Sequence, residues 1–213
     1  MGLDFNYRIY VKKDKLEDAF KLVAANCSKN NGIVYQDGKF FKNYSYKALE
    51  PLDILKLNVA LSCVFMFKKD DQILAYSIKN NINVLRKETD EKNYFSIKDI
   101  VLPVGGIDVS VIDYGIEIPD TFEIRFAAVT SDMSRLFRDS PSIEAFFKRF
   151  CQEVKADYGC LDKEHEGYRL IWFEGEPFSV DLPHEYGYND PAWEPFRELC
   201  FIPAMRRFAK EEE

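Results

Sequence analysis

Only two histidines stand in this chain, and histidine is the side chain best suited to general acid–base work near neutral pH. His184 lies in Asp181-Leu182-Pro183-His184-Glu185-Tyr186-Gly187-Tyr188, where an imidazole, two carboxylates and two phenols gather beside a loop. With Trp172 upstream and Trp193 downstream, the segment is the best pocket edge in the sequence, and Trp172, His184, Tyr186 and Trp193 are the candidate ligand-binding residues. The competing reading is a lid: Tyr186, Tyr188, Trp193 and Phe196 folded back over a sheet with His184 exposed. The lid is preferred, because aromatic content first of all means buried area.

His165 sits in Asp162-Lys163-Glu164-His165-Glu166-Gly167, flanked by carboxylates as a metal ligand would be. A turn of this composition points its side chains in alternating directions, and the His-x-x-x-His or Glu-x-x-His spacing that puts ligands on one helical face is absent. No metal and no cofactor are expected. Nucleophilic catalysis has no visible parts: there is no Gly-x-Ser-x-Gly elbow. Gly105-Gly106 precedes a strand instead of opening a helix, the wrong order for a dinucleotide or phosphate-binding loop. Asp108 and Asp113 are at odd spacing on one strand and face opposite ways. Thr130-Ser131-Asp132-Met133-Ser134 could offer amides to an anion at a helix start, but turn and cap chemistry is the preferred account of such a stretch.

Bulk properties narrow the classes further. The 213 residues carry a formal charge of -7, which argues against general nucleic-acid binding. Arg206-Arg207 is the only arginine pair, and a solvated helix end explains it. The five cysteines form an odd set without a Cys-x-x-Cys pair, so reduced thiols are expected. No apolar run approaches the ~18 residues of a membrane span, and the first residues lack the basic and apolar regions of a signal peptide. A cytoplasmic location and no membrane contact are expected.

The elements that must position any site follow from patterning. A strand, Lys-Lys-Asp and a helix occur twice, at Tyr7–Asp14 and at Cys63–Asp70, with Asp14 and Asp70 placed to cap the helices after them. Asp37-Gly38 between two short apolar arms predicts a hairpin. Val59–Phe67 reads as a strand buried on both faces. A second strand follows Gly106, a third runs from Thr121, and Ser140-Pro141 opens the clearest helix, with Ile143, Phe146, Phe147, Phe150, Cys151 and Val154 as its stripe. Residues 157–162 and 168–174 predict a further hairpin.

The order predicts an α+β fold of mostly antiparallel sheets with helices on one face. Residues 1–116 form a ferredoxin-like (split β-α-β) half, and residues 117–213 a related, less regular half ending in an aromatic segment. Two sheets are favoured over one shared sheet. The expected function is non-catalytic binding or regulation through protein–protein contact, holding a basic partner by charge complementarity as immunity proteins hold toxins. The alternatives are a small-molecule-binding module or a hydrolase-type enzyme with a pocket between the halves near His184.

Overall fold

Strand β1 (Asn6–Lys12) sets the sheet: Tyr7, Ile9 and Val11 are fully buried toward one side, and its alternate residues point to the other. The computed structural model describes residues 3–27, 33–36, 39–42, 51–52, 61–80, 101–113 and 120–182. After β1 come α1 (Leu16–Ala25), β2 (Ile33–Gln36), β3 (Lys39–Lys42), β4 (Pro51–Leu52), β5 (Leu61–Lys68) and α2 (Asp71–Lys79). Then follow β6 (Val101–Asp113), β7 (Thr121–Ala128), α3 (Ser131–Asp139), α4 (Pro141–Val154), β8 (Tyr158–Asp162), β9 (Tyr168–Phe173) and β10 (Glu176–Leu182). Among the described residues the fold is α+β: four α-helices and a seven-stranded sheet of order β10-β9-β8-β1-β7-β6-β5, antiparallel at every ladder, with β2-β3-β4 as a separate small sheet. Gln36 pairs with Lys39 in the antiparallel β2–β3 ladder, and the expected turn residues Asp37 and Gly38 lie outside the described residues.

One shared sheet replaces the two expected. β1 lies between β7 and β8, so strands from both sides of residue 116 pair directly. The physical reason is in β1 itself: Tyr7, Ile9 and Val11 are buried on one face and Tyr10 on the other, which only a central strand provides. The split β-α-β arrangement of residues 1–116 is not confirmed, because β7 separates β1 from β6. β5 also differs from expectation. Leu61, Cys63, Phe65 and Phe67 are buried, but Ser62 and Lys68 are exposed, as suits a strand at the end of the sheet.

The core lies between this sheet and α4. Tyr7 stacks on Phe147 at 3.9 Å between ring centroids, and Phe126 meets Phe147 edge-on at 4.9 Å. Phe146 reaches Phe67 at 5.0 Å, so one helix face covers strands from both ends of the chain. The Tyr7 hydroxyl donates to the Phe137 carbonyl of α3 at 3.1 Å. Burial, then the Glu144 carboxylate, pushes this phenol above its ordinary value and keeps it a donor. The helix start read at Thr130–Ser134 opens a separate helix, α3, ahead of α4. Met133, Leu136 and Phe137 give it one narrow apolar face, and its other positions are polar.

Gly105 and Gly106 lie inside the long strand β6, not before it. The β5–β6 register shifts between Cys63 and Phe65, with one more residue on the β6 side, and Gly106 takes φ 76°. This is the left-handed conformation a bulge with glycine requires. The extra residue returns both Val104 and Ile107 to the buried set.

Capping follows expectation in one copy of the Lys-Lys-Asp pattern only. Asp70 caps α2, accepting from the Ile73 amide at 2.7 Å. Asp14 lies in a 3-10 turn, Lys13–Lys15, that precedes α1, and its carboxylate pairs with Lys15 at 3.3 Å. The residue before α1 is Lys15, which makes no side-chain cap bond.

Ser77 on α2 is fully buried, and its hydroxyl has no hydrogen-bond partner among the described residues. Removing an unsatisfied buried hydroxyl and installing a better helix former should both favour folding. Ser77→Ala is expected to raise unfolding free energy by about 1 kcal/mol in a urea titration; a loss of stability would show that the hydroxyl is bonded.

No helix among the described residues is long and apolar enough to cross a membrane.

Candidate functional site

The polar groups of the described residues gather in three places. The first is on the sheet face opposite α4. The Glu123 carboxylate of β7 is fully buried and receives Arg8 Nη2 at 2.9 Å, Arg8 Nε at 3.1 Å, the Tyr10 hydroxyl at 2.9 Å and Arg125 Nε at 2.8 Å. Arg8 also reaches Asp162 at 3.3 Å. The ladder explains the grouping, since Tyr10 pairs with Glu123 and Arg8 with Arg125 across β1–β7. Burial works to lower the Arg8 guanidinium, but Tyr10 and Glu123 outweigh it and hold it well above its ordinary value. With four donors on one carboxylate, Glu123 has its lone pairs filled and acts as an anchor for two arginines. The cluster fixes charge inside the fold.

The second place is a groove of about 220 Å³ between α2 and α3, with Tyr76, Lys79, Asp132 and Arg135 on its walls. Asp132 accepts from Lys79 at 2.6 Å and Arg135 at 3.0 Å. Lys79 bonding comes first among the causes that hold its carboxyl below the usual range. The α3 start does cap chemistry. Thr130 accepts from the Met133 amide at 3.2 Å, Ser131 from the Leu3 amide at 3.0 Å, and Ser134 from the Phe5 amide at 3.1 Å. These hydroxyls fasten the lead-in to β1.

The third place is the outer strand β10. Residues Glu176–Asp181 are exposed, including Phe178 at 38% and Val180 at 37%. Faces follow from pairing and contact. Phe178 lies 5.9 Å from Phe173, which meets Tyr158 edge-on at 5.4 Å, so an aromatic row crosses β8, β9 and β10 on the side away from α4. The alternate residues turn to the helices: Ser179 donates to Glu144 of α4 at 3.3 Å, and Asp181 accepts from Lys163 at 2.6 Å and Arg169 at 3.2 Å. Arg169 also donates to the Arg138 carbonyl at 3.0 Å and to Glu144 at 3.3 Å. Burial works to raise the Asp181 carboxyl, but Lys163 and Arg169 outweigh it and hold it below the usual range. β10 is therefore fixed from its helix side and presents Glu176, Phe178 and Val180 on the other.

Of the residues singled out in sequence, Trp172 is buried at 4% exposure, with its indole N–H bonded to the Ala156 carbonyl at 2.9 Å. It belongs to the buried core cluster. His184, Tyr186 and Trp193 lie outside the described residues. His165 is exposed in a 3-10 turn; Glu166 faces Arg138 at 3.3 Å, and the Glu164 amide is bonded by Asp162 at 3.0 Å. No group of three His, Cys, Asp or Glu side chains suited to a metal occurs among the described residues. Cys27, Cys63, Cys151 and Cys160 are buried thiols, and burial pushes the Cys151 thiol well above its ordinary value. The residues missed in sequence are Glu176, Phe178 and Val180. Their period-2 spacing was the available signal, masked by Pro177, which breaks the look of a strand. No protein-family model, curated protein or solved structure matches the chain.

Proposed function

We propose that this chain is a non-catalytic binding protein that acts through protein–protein contact, in the manner of an immunity protein, on a basic partner in the cytoplasm. The observation that supports this reading best is the β9–β10 hairpin. It leaves two large apolar side chains, Phe178 and Val180, exposed beside Glu174 and Glu176. Neither glutamate joins an ion pair among the described residues, and the whole chain carries -7. Apolar contact ringed by unpaired acid suits a cationic protein surface, with charge supplying rate and selectivity. The rival reading, a small-molecule or hydrolase pocket near His184, depends on residues outside those described.

Affinity capture from the source cell extract across a salt series tests it, with the Glu174→Lys/Glu176→Lys variant as contrast. A basic protein is expected to be held by the parent chain at low salt, released as screening rises, and lost by the variant. Equal retention by both chains, or no basic protein at any salt, would remove the reading.

A further inference from the structure

The two outer strands of the seven-stranded sheet are not equally open. At β5 the outer edge is partly closed: the Met66 amide donates to the Asn26 carbonyl at 3.0 Å, and Cys27 bridges Phe65. At β10 no described residue pairs with the outer edge, and Glu176–Asp181 are exposed. An unprotected edge is a template for another strand. Natural proteins blunt such edges, and here Pro177, which lacks an N–H, guards only the start of β10.

Resting on the protein-contact reading above, we infer that β10 takes an extended segment of the basic partner as an eighth strand, with a basic–x–apolar–x–apolar alternation facing Glu176, Phe178 and Val180. Three observations carry the pattern. β10 is held from behind by Asp181 on Lys163 and Arg169 and by Ser179 on Glu144, so the edge is formed before a partner arrives. The row Tyr158–Phe173–Phe178 grows more exposed toward the edge, from 8% at Tyr158 to 38% at Phe178, and an added strand would continue it with an apolar side chain. Two residues before Phe178, on the same face, Glu176 is an exposed carboxylate that a lysine or arginine across the new ladder would meet. A second copy of this chain fits poorly, since its own hairpin, Tyr168–Leu182, carries three acids and one arginine and would bring like charges together.

The test uses two synthetic peptides in which threonine alternates with valine, phenylalanine and lysine, or with valine, phenylalanine and glutamate. Binding to the full chain is read by fluorescence anisotropy at low salt, and site by amide hydrogen exchange. The lysine peptide is expected to bind more tightly than the glutamate peptide and to slow exchange along Phe178–Asp181. Glu176→Lys should weaken the lysine peptide by about two- to five-fold, the span of an exposed ion pair, and strengthen the glutamate peptide. Val180→Asp should weaken the lysine peptide by about ten-fold through lost apolar burial. Both positions are exposed, and circular dichroism confirms that each variant is folded before binding is read.

Equal binding of the two peptides, no response to Glu176→Lys, or slowed exchange away from β10 would overturn the inference. The basic-partner reading would survive these results if salt-sensitive capture of a basic protein persisted. Absence of binding by either peptide overturns the strand-addition inference alone. Slowed exchange in β10 without peptide, rising with protein concentration alongside a dimer in light scattering, would give the edge to a second copy and overturn it equally.

Discussion

Glu123→Ala is expected to cost about 3–5 kcal/mol of unfolding free energy. Glu123 is fully buried and receives both Arg8 nitrogens, the Tyr10 hydroxyl and Arg125. Without it, Arg8, whose side chain is 12% exposed, keeps the longer Asp162 bond at 3.3 Å as its charged contact among the described residues. Tyr10 loses its acceptor at the same time. The magnitude comes from weakening the compensation of a buried charge, not from the worth of the pair. Replacing both partners by apolar side chains, Arg8→Met with Glu123→Leu, should therefore cost less than Glu123→Ala alone, because the two most buried charges leave together, while Arg125 and Asp162, which remain, are more exposed at 35% and 19%. Tyr10→Phe should cost about 1 kcal/mol, the share of one hydrogen bond. Urea titrations of the four chains check the order. A Glu123→Ala loss below about 1 kcal/mol would mean that Arg8 is compensated elsewhere.

That cluster also marks the limit of what the sequence discloses. Elements with strong local signals were legible: α4 opens at Ser140 and Pro141 and buries the six residues its spacing names. The β8–β9 hairpin and the strand from Thr121 fall where alternation puts them. What local pattern cannot carry is pairing over distance. Glu123 and Arg8 are 115 positions apart, and nothing near either says that β1 lies between β7 and β8. The choice between one sheet and two turned on this. α3 is legible only at its start, Thr130–Ser134. Its apolar face is three residues wide and the rest of Ser131–Asp139 is polar, so the pattern does not mark it as a helix of its own. The edge strand β10 is obscured differently: Phe178, Val180 and Leu182 alternate with Ser179 and Asp181, but Pro177 breaks the look of a strand at its start. Trp172, a candidate site residue in sequence, lies in the buried core cluster. Exposed function and buried structure recruit the same aromatic residues, and only position separates them.

Asp70→Ala is expected to cost about 2–4 kcal/mol, more than a single helix cap, because this carboxylate serves two helices. Sequence shows Asp70 ahead of α2 and Ser140 ahead of α4 as separate caps, and the structure joins them. One Asp70 oxygen accepts from the Ile73 amide at 2.7 Å, while the other accepts from the Ser140 hydroxyl at 2.6 Å and the Ser142 amide at 3.0 Å. Ser140 in turn accepts from the Ile143 amide at 3.2 Å. Two helix N-termini, 70 positions apart in sequence at Asp70 and Ser140, thus share one negative charge. Burial works to raise the Asp70 carboxyl, but the Ile73, Ser140 and Ser142 bonds outweigh it and hold it below its ordinary value. A depressed folded value stabilises the native state at pH above the unfolded value, about 3.9 for aspartate, and that stabilisation is lost as pH falls through the folded value. The gap between the parent chain and Asp70→Asn should then be constant near neutral pH and close below about pH 4, where protonation makes the two side chains alike. Asp70→Ala and Ser140→Ala should also be strongly non-additive, since each removes the shared hydrogen bond. Additive losses, or a gap unchanged between neutral pH and pH 3, would mean that the two caps act separately.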